Sequence, residues 1–165
     1  MDVDELFTKH QADLLRYLTR YTGDPDTAAD AAQDAYLRLL ESPPRSTINV
    51  RAWLFTVATN VVRDGWKKHG RVGRLLDAPG SAPVDDRTPD PFTAVERAER
   101  AQHARRMLAK LSARERTIVL MWMEGFMHRE IAEVAGTTAG TIGPTIARAV
   151  KKLAGDIDRY LKEDV

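Results

Sequence analysis

The sequence predicts an all-α protein of two small helical domains, at 1–74 and 93–165, joined by a flexible Pro/Asp-rich linker at 75–92. Three observations carry this prediction. Apolar residues recur at helical spacing along most of the chain, and no segment shows the strict alternation of a strand. The periodicity stops where prolines cluster. A chain of 165 residues also has room for two small cores.

The first domain is predicted to contain three helices. The first carries four leucines on one side, Leu6, Leu14, Leu15 and Leu18. The second opens with Pro25 in a helix-starting position, and acidic residues follow in its first turn. The third, "VRAWLFTVATNVVRDGWKKHG", is apolar over most of its length and basic towards its C-terminal end, which suits the helix dipole.

The helical pattern then gives way to the linker and resumes in the second domain. The linker contains four prolines and four aspartates in "LLDAPGSAPVDDRTPDPF", which is typical of an extended segment. Beyond it a helix is predicted over 93–110. In the next helix, Ser112 and Glu115 have the spacing of a capping box, and Gly125 is suited to the position after a helix end.

The segment "REIAEVAGTTAGTI" has the spacing of a helix-turn-helix. Ile131 and Ala132 lie on its first helix, and the small Ala132 allows a close crossing of the two helices. Gly136 can take the positive φ that a tight turn needs, and Ile142 follows six residues later. An ordinary αα-hairpin is the alternative that this pattern leaves open.

Charge is distributed unevenly along the chain, although the net charge is only +1. Residues 1–50 carry five basic and nine acidic side chains, a net −4, whereas residues 93–165 carry 13 and 10, a net +3. Five basic residues also fall within twelve positions: Arg63, Lys67, Lys68, Arg71 and Arg74. Such local basic segments indicate a polyanionic partner, and a solvated surface is the alternative.

Several function classes find no support in the sequence. There is no cysteine, and the four histidines lie far apart. No glycine-rich loop follows a strand, as a phosphate site would require. We therefore expect no enzyme activity, cofactor, metal site or small-molecule substrate. The N-terminus has no signal-peptide pattern and no apolar run could span a bilayer, so a soluble cytoplasmic protein without membrane insertion is expected.

Both halves together resemble the extracytoplasmic-function (ECF) class of the sigma-70 family of bacterial RNA polymerase sigma factors. "LLRYLTRYTGDPDTAADAAQDAYLRLL" is similar to the segment of that class that docks on core polymerase. "RAWLFTVATNVVRDGWKKHGR" resembles its promoter-melting helix, W-L-x-x-I-A-x-N-x-x-x-D-x-x-R/K. "LAKLSARERTIVLMWMEGFMHREIAEVAGTTAGTIGPTIARAVKKL" resembles its promoter-distal DNA-binding domain. The resemblance implies core RNA polymerase, promoter DNA and an anti-sigma factor as partners.

The resemblance also implies three sets of site residues. Residues 1–74 would form a domain like sigma region 2, and its polymerase-binding residues would be Asp30, Gln33, Asp34 and Arg38, while Ala28, Ala32, Tyr36 and Leu39 face inward. Recognition and melting of the −10 element would fall to Trp53, Asn60, Arg63, Lys67, Lys68 and Arg71. Residues 93–165 would form a domain like sigma region 4 and would bind the −35 element through Thr137, Thr138, Thr141, Thr145, Arg148, Lys151 and Lys152.

The second half departs from the family pattern in its recognition helix. Gly143 and Pro144 stand where basic and serine residues are usual, and Met127 stands where a serine usually caps the preceding helix. A proline costs about 3 kcal/mol in a helix interior but is accepted in the first turn. We therefore predict a helix that starts late, near Thr141, or is kinked, and a −35 specificity that is altered or weak.

Two functions are consistent with these residues. The first is an alternative sigma factor that binds core polymerase and directs promoter-specific initiation. The second is a sigma-like regulator or decoy that binds an anti-sigma factor or DNA without initiating transcription. The departures at Gly143 and Pro144 favour the second function, and the intact stretch 53–71 favours the first.

Overall fold

The computed structural model describes residues 2–45, 49–70 and 91–163. This part of the chain forms seven helices and no strand, which confirms the all-α prediction. The helices are α1 (Val3–Thr22), α2 (Pro25–Glu41), α3 (Val50–Lys68), α4 (Pro91–Ala109), α5 (Ala113–Met123), α6 (His128–Ala135) and α7 (Ala139–Glu163). Residues 75–90 of the predicted linker lie outside the described residues. The fourth helix begins at Pro91, earlier than the sequence pattern indicated.

In the first half of the chain, α2 packs against both α1 and α3. The Asp24 carboxylate caps α2 by accepting from the backbone N–H groups of Asp26 and Thr27, and Pro25 occupies the first turn as predicted. All four positions of α2 that were predicted to face inward are buried: Ala28, Ala32, Tyr36 and Leu39. On α1, Leu14 and Leu18 are fully buried, whereas Leu6 and Leu15 are only partly covered.

In the second half, α5 begins with the predicted capping box. The Glu115 N–H donates to Ser112 Oγ at 3.1 Å, and the Ser112 N–H donates to Glu115 Oε2 at 2.8 Å. Gly125 follows the end of α5 with φ 83°, as its predicted position requires. Helix α6 has only half of such a cap, because Met127 offers no side-chain oxygen and only the Glu130 carboxylate takes part, accepting from the Met127 N–H at 2.9 Å.

The α6–α7 pair has the geometry expected of a helix-turn-helix. Gly136 ends α6 with φ 68°, and Ala132 and Ile142 are buried where the two helices pack. The Thr137 N–H donates to the Ala132 carbonyl at 3.0 Å, which closes the turn. The sequence therefore predicted both the glycine that makes the turn and the apolar residues that hold its helices together.

The predicted late start of the last helix is wrong. Helix α7 runs from Ala139 to Glu163 with Pro144 inside it. Burial of Ile142 and Ile146 contributes about 1.5–3 kcal/mol for each side chain, which exceeds the roughly 3 kcal/mol cost of the proline. Gly143 reduces that cost further, because the proline ring clashes with the Cβ of the preceding residue and glycine has none.

Replacing Pro144 by alanine should stabilise the second half of the chain. The new N–H can donate to the Gly140 carbonyl, and the gain of up to about 3 kcal/mol is offset by about 0.4–1 kcal/mol because the unfolded chain becomes more flexible. We expect a net increase of about 2 kcal/mol in the free energy of unfolding, measured by urea denaturation. Pro25→Ala is the matched control and should give no gain, because the first turn of α2 needs no N–H donor there. An unchanged or lower value for Pro144→Ala would contradict this account.

The Glu115 carboxylate should make stability depend on pH. Its pKa is lowered, first by the hydrogen bond from the Ser112 N–H and also by Lys152, whose Nζ lies 3.3 Å from Oε2. A carboxyl with a lowered folded-state pKa stabilises the fold above its ordinary pKa of about 4.3 and loses that contribution as pH falls through the folded value. Glu115→Gln keeps a side-chain acceptor for the capping box but removes the negative charge at the helix N-terminus, so it should lower the unfolding free energy by about 0.3–1 kcal/mol at pH 7, and the deficit should shrink in acid. A deficit that is constant from pH 7 to pH 3 would contradict this assignment.

Candidate nucleic-acid and polymerase interface

The outer face of α2 carries the polar residues that the sequence analysis assigned to polymerase binding. Asp30, Gln33, Asp34 and Arg38 are all exposed, and the opposite face of the helix is buried. Arg38 lies 4.0 Å from Asp34, and both side chains are about half exposed (52% and 51%). An ion pair this open to solvent contributes little to stability, so both groups are available to a partner.

Apolar side chains that the sequence analysis did not single out lie beside this polar face. Leu37 and Leu40 are 47% and 60% exposed, and Phe7 on α1 is 40% exposed. They line a groove of about 400 Å³ between α1 and α2. The sequence offered one indication of this apolar surface: Leu37 and Leu40 are one helical turn apart and adjacent to Gln33 and Arg38.

Helix α3 places three of its predicted site residues on one stripe. Trp53, Asn60 and Lys67 are separated by seven residues each, which returns to nearly the same side of a helix after two turns, or about 10.5 Å. Trp53 is half-buried against the core, whereas Asn60 and Lys67 are exposed, as is the neighbouring Lys68. Arg71 lies outside the described residues. The exposed amide therefore lies between a half-buried aromatic ring and an exposed cation on this side of the helix.

Arg63 does not face solvent with Lys67 and Lys68. Its guanidinium donates to Tyr21 Oη at 3.3 Å, to the Val134 carbonyl at 3.2 Å and to Thr117 Oγ1 at 3.0 Å. Two of these partners belong to the second half of the chain. The structure therefore separates Arg63 from Lys67 and Lys68, which the sequence analysis had grouped with it.

Helix α7 presents a row of threonines and basic residues to solvent. Thr138, Thr141, Arg148, Lys151 and Lys152 are exposed, and Thr137 and Thr145 are half-buried. The row is ordered by its own hydrogen bonds: Thr137 Oγ1 and Thr141 Oγ1 lie 2.8 Å apart, and Arg148 Nη2 donates to Thr145 Oγ1 at 3.3 Å. Lys152 is drawn towards Glu115 on α5, so it is the least free of the cations on this surface.

Two residues at the start of α6 extend this surface and were not singled out from the sequence. His128 and Arg129 are exposed. A Cβ placed on Gly143 would lie 3.7 Å from His128 Cε1, so the imidazole lies beside the part of α7 that has no side chain. The one sequence feature that could have indicated a role for His128 and Arg129 is their position at the start of the first helix of the helix-turn-helix.

The described part of the chain shows neither a membrane-spanning helix nor a metal site. None of the helices that the structure describes is both long enough and apolar enough to cross a membrane. Over residues 2–45, 49–70 and 91–163, no three metal-ligating side chains of histidine, cysteine, aspartate or glutamate come together.

Both halves of the chain are similar to known sigma factors. Residues 6–72 match sigma-70 region 2, and residues 102–153 match sigma-70 region 4. The ECF RNA polymerase sigma factor SigL of Mycobacterium tuberculosis is 33% identical over 156 residues, which cover 90% of this chain and 84% of SigL. The ferric citrate uptake sigma factor FecI of Escherichia coli is 28% identical over 150 residues, with 90% and 86% covered.

Solved structures agree on the fold. The sigma factor RpoE of Bartonella quintana, in complex with the anti-sigma factor NepR, matches with a TM-score of 0.73 over 94% of this chain and 96% of RpoE, at 22% identity. CnrH, in complex with the cytosolic domain of CnrY, matches with a TM-score of 0.68 over 95% of this chain and 88% of CnrH, at 19% identity. The sequence matches show that the chain belongs to the ECF family of RNA polymerase sigma factors.

Proposed function

We propose that this chain is an alternative sigma factor that binds core RNA polymerase and directs promoter-specific transcription initiation. Residues 1–74 serve as the region 2 domain, residues 93–165 serve as the region 4 domain, and residues 75–92 connect them. The single observation that carries the proposal is the stripe on α3, where the exposed Asn60 amide lies between Trp53 and Lys67. Two further surfaces, on α2 and α7, support it.

Core polymerase binds the outer face of α2. Asp30 and Asp34 supply negative charge, Gln33 supplies a neutral donor and acceptor, and Arg38 supplies a cation. The exposed Leu37 and Leu40 add apolar area at the edge of this polar surface. An interface of this composition combines apolar area with polar contacts that fix its orientation.

The −10 element is read at α3. An amide such as Asn60 both donates and accepts, so it can pair with the edge of a base that has left the stack. Extracting a base costs a few kcal/mol, which phosphate contacts must offset. Lys67 and Lys68 are exposed and supply such contacts, and Arg63 and Arg71 join them in the promoter complex.

The −35 element is read at α7 with few side chains. Gly143, Pro144 and Ala147 leave the middle of the recognition helix without long polar groups. Base contacts therefore fall to Thr141, Thr145 and Arg148, while Thr137, Thr138, Lys151 and Lys152 contact phosphates. Threonine methyl groups favour thymine and one arginine favours guanine, so the readout is weak compared with that at α3.

An anti-sigma factor regulates the chain in the cytoplasm. The structures of RpoE and CnrH are complexes with NepR and with the cytosolic domain of CnrY, which supports a partner of this kind. The apolar groove beside α2, lined by Phe7, Leu37 and Leu40, adjoins the polymerase surface. A protein bound in that groove would compete with core polymerase.

Separate substitutions should distinguish promoter recognition from polymerase binding. Asn60→Ala should lower initiation roughly 10- to 100-fold, since a specific base contact contributes about 1–3 kcal/mol, with binding to core polymerase unchanged. Asp34→Lys should weaken core binding itself. The measurements are run-off transcription on a genomic promoter library and a pull-down of purified core polymerase.

The exposed Glu99 on α4, which lies outside the three proposed surfaces, provides the control, and Glu99→Ala should leave both readouts unchanged. Full initiation by Asn60→Ala, or full core binding by Asp34→Lys, would contradict the corresponding assignment. A chain that bound no core polymerase at all would instead be the sigma-like regulator or decoy.

A further inference from the structure

The outward surface of α7, opposite the buried Ile142, has two unlike flanks. A helix turns by about 100° per residue, so the residues just before and just after Ile142 point to opposite sides. The polar flank carries side chains that can contact DNA: Thr141, Thr145 and Arg148. The bare flank carries only small or apolar residues: Gly143, Ala147 and Val150. A polar contact with DNA on the bare flank therefore has to come from another helix.

The imidazole of His128 lies beside the bare flank. His128 is the first residue of α6, and a Cβ placed on Gly143 would lie 3.7 Å from its Cε1, an ordinary van der Waals distance. Because Cε1 is the ring carbon between the two nitrogens, the nitrogen-bearing edge of the ring is turned towards α7. The ring therefore lies where a long side chain at position 143 would extend.

Both nitrogens of this ring are available to a ligand. His128 is exposed, and within residues 2–45, 49–70 and 91–163 no group forms a hydrogen bond with either nitrogen. The carboxylate of Glu130 is already engaged, because it accepts from the Asn49 side chain at 2.7 Å and from the Met127 N–H at 2.9 Å. An imidazole carries at least one N–H donor in either protonation state. His128 therefore offers DNA a donor.

The position of His128 on α6 directs it to the bases and not to the phosphates. In a helix-turn-helix the second helix lies in the major groove, and the first helix crosses the DNA backbone. His128 leans on the second helix and so faces the groove. The exposed Arg129 is turned by about 100° from it around α6 and so faces the phosphates.

We propose that His128 is a specificity-determining residue of the −35 readout: its imidazole occupies the gap at Gly143 and donates to guanine in the major groove. Guanine presents only acceptors there, N7 and O6, whereas adenine presents an N6 donor beside N7. This role rests on the proposed function, and it adds a base contact from α6 to those of α7.

The base preference of the full-length chain in complex with core polymerase tests this role. The probe is a pool of promoter duplexes with a randomised −35 segment, and the duplexes that the complex retains are sequenced. His128→Ala should lower the preference for guanine at one base pair about fivefold, the effect of losing one hydrogen bond. His128→Gln should shift the preference at that base pair towards adenine, with which glutamine pairs through N6 and N7. A merely structural role of His128 predicts neither change.

Arg129→Gln is the matched comparison on the same helix. It should lower the retention of all sequences alike and reduce the salt dependence of binding, as expected for a phosphate contact, with the base preference unchanged. Urea denaturation of His128→Ala should match that of the wild type, because the removed side chain is exposed. A changed preference is then not a consequence of unfolding.

A long side chain at position 143 tests whether the imidazole acts from the gap. Gly143→Lys is combined with Pro144→Ala, because a Cβ at position 143 would meet the ring of Pro144. The lysine then occupies the gap, and adding His128→Ala to this background should leave the base preference unchanged. An equal loss of guanine preference in both backgrounds would show that the imidazole does not act from the gap.

Two further results would overturn the role of His128. A uniform loss of retention by His128→Ala, at every sequence alike, would assign the imidazole to a phosphate. Retention and preference equal to those of the wild type would show that His128 does not contact DNA. Failure of the proposed function would look different, because the wild-type chain would then form no complex with core polymerase.

Discussion

The arrangement of the whole molecule depends on the burial of one guanidinium. Arg116 reaches the end of α1 and lies against Tyr21 and Trp66, and these contacts replace the water that a charged group otherwise requires. If the two halves moved apart, the Tyr21 carbonyl would lose its hydrogen-bond donor. The Tyr21 and Trp66 rings would also lose their contact with the Arg116 guanidinium. The position of α5 against α1 is therefore constrained more by a polar requirement than by apolar area.

This constraint divides α3 between two roles. One side of the helix carries Asn60 and Lys67 into solvent, beside Trp53, where a nucleic acid can reach them. The other side turns Phe55, Arg63 and Trp66 towards the second half of the chain. A single helix thus carries the proposed DNA-binding residues Asn60 and Lys67 on one side and much of the contact with the second half of the chain on the other.

Helix α7 contains a proline in its interior, and the packing around it explains why the helix is not interrupted. Pro144 lacks an N–H and would ordinarily interrupt α7, yet the helix continues because Ile142 and Ile146 are buried on its inner side and Gly143 leaves room for the proline ring. The same small residues leave this part of α7 without long polar side chains. The continuation of the helix and the weak base readout that we propose therefore depend on the same residues.

By itself the sequence determined the helices, their caps and their buried faces. Ser112 with Glu115, the turn at Gly136 and the inward row of Ala28 and Ala32 follow from spacing, because each depends on residues within a few positions of one another. From the sequence, Asn60 could be either a buried amide with satisfied hydrogen bonds or a base-recognition residue; the structure places it at the surface of α3, and its role in DNA binding stays a prediction.

Only the tertiary structure decided where the charged groups of the interface lie. Nothing in local spacing distinguishes the exposed Arg114 from the buried Arg116, or separates Arg63 from Lys67 and Lys68. The hydrogen-bond partners of Arg63 and Arg116 in the opposite half of the chain are 54 to 95 positions away. The periodicity of apolar residues predicts which face of a helix is buried. The partner of a long polar side chain depends instead on which helices pack against each other, and the tertiary structure decides that.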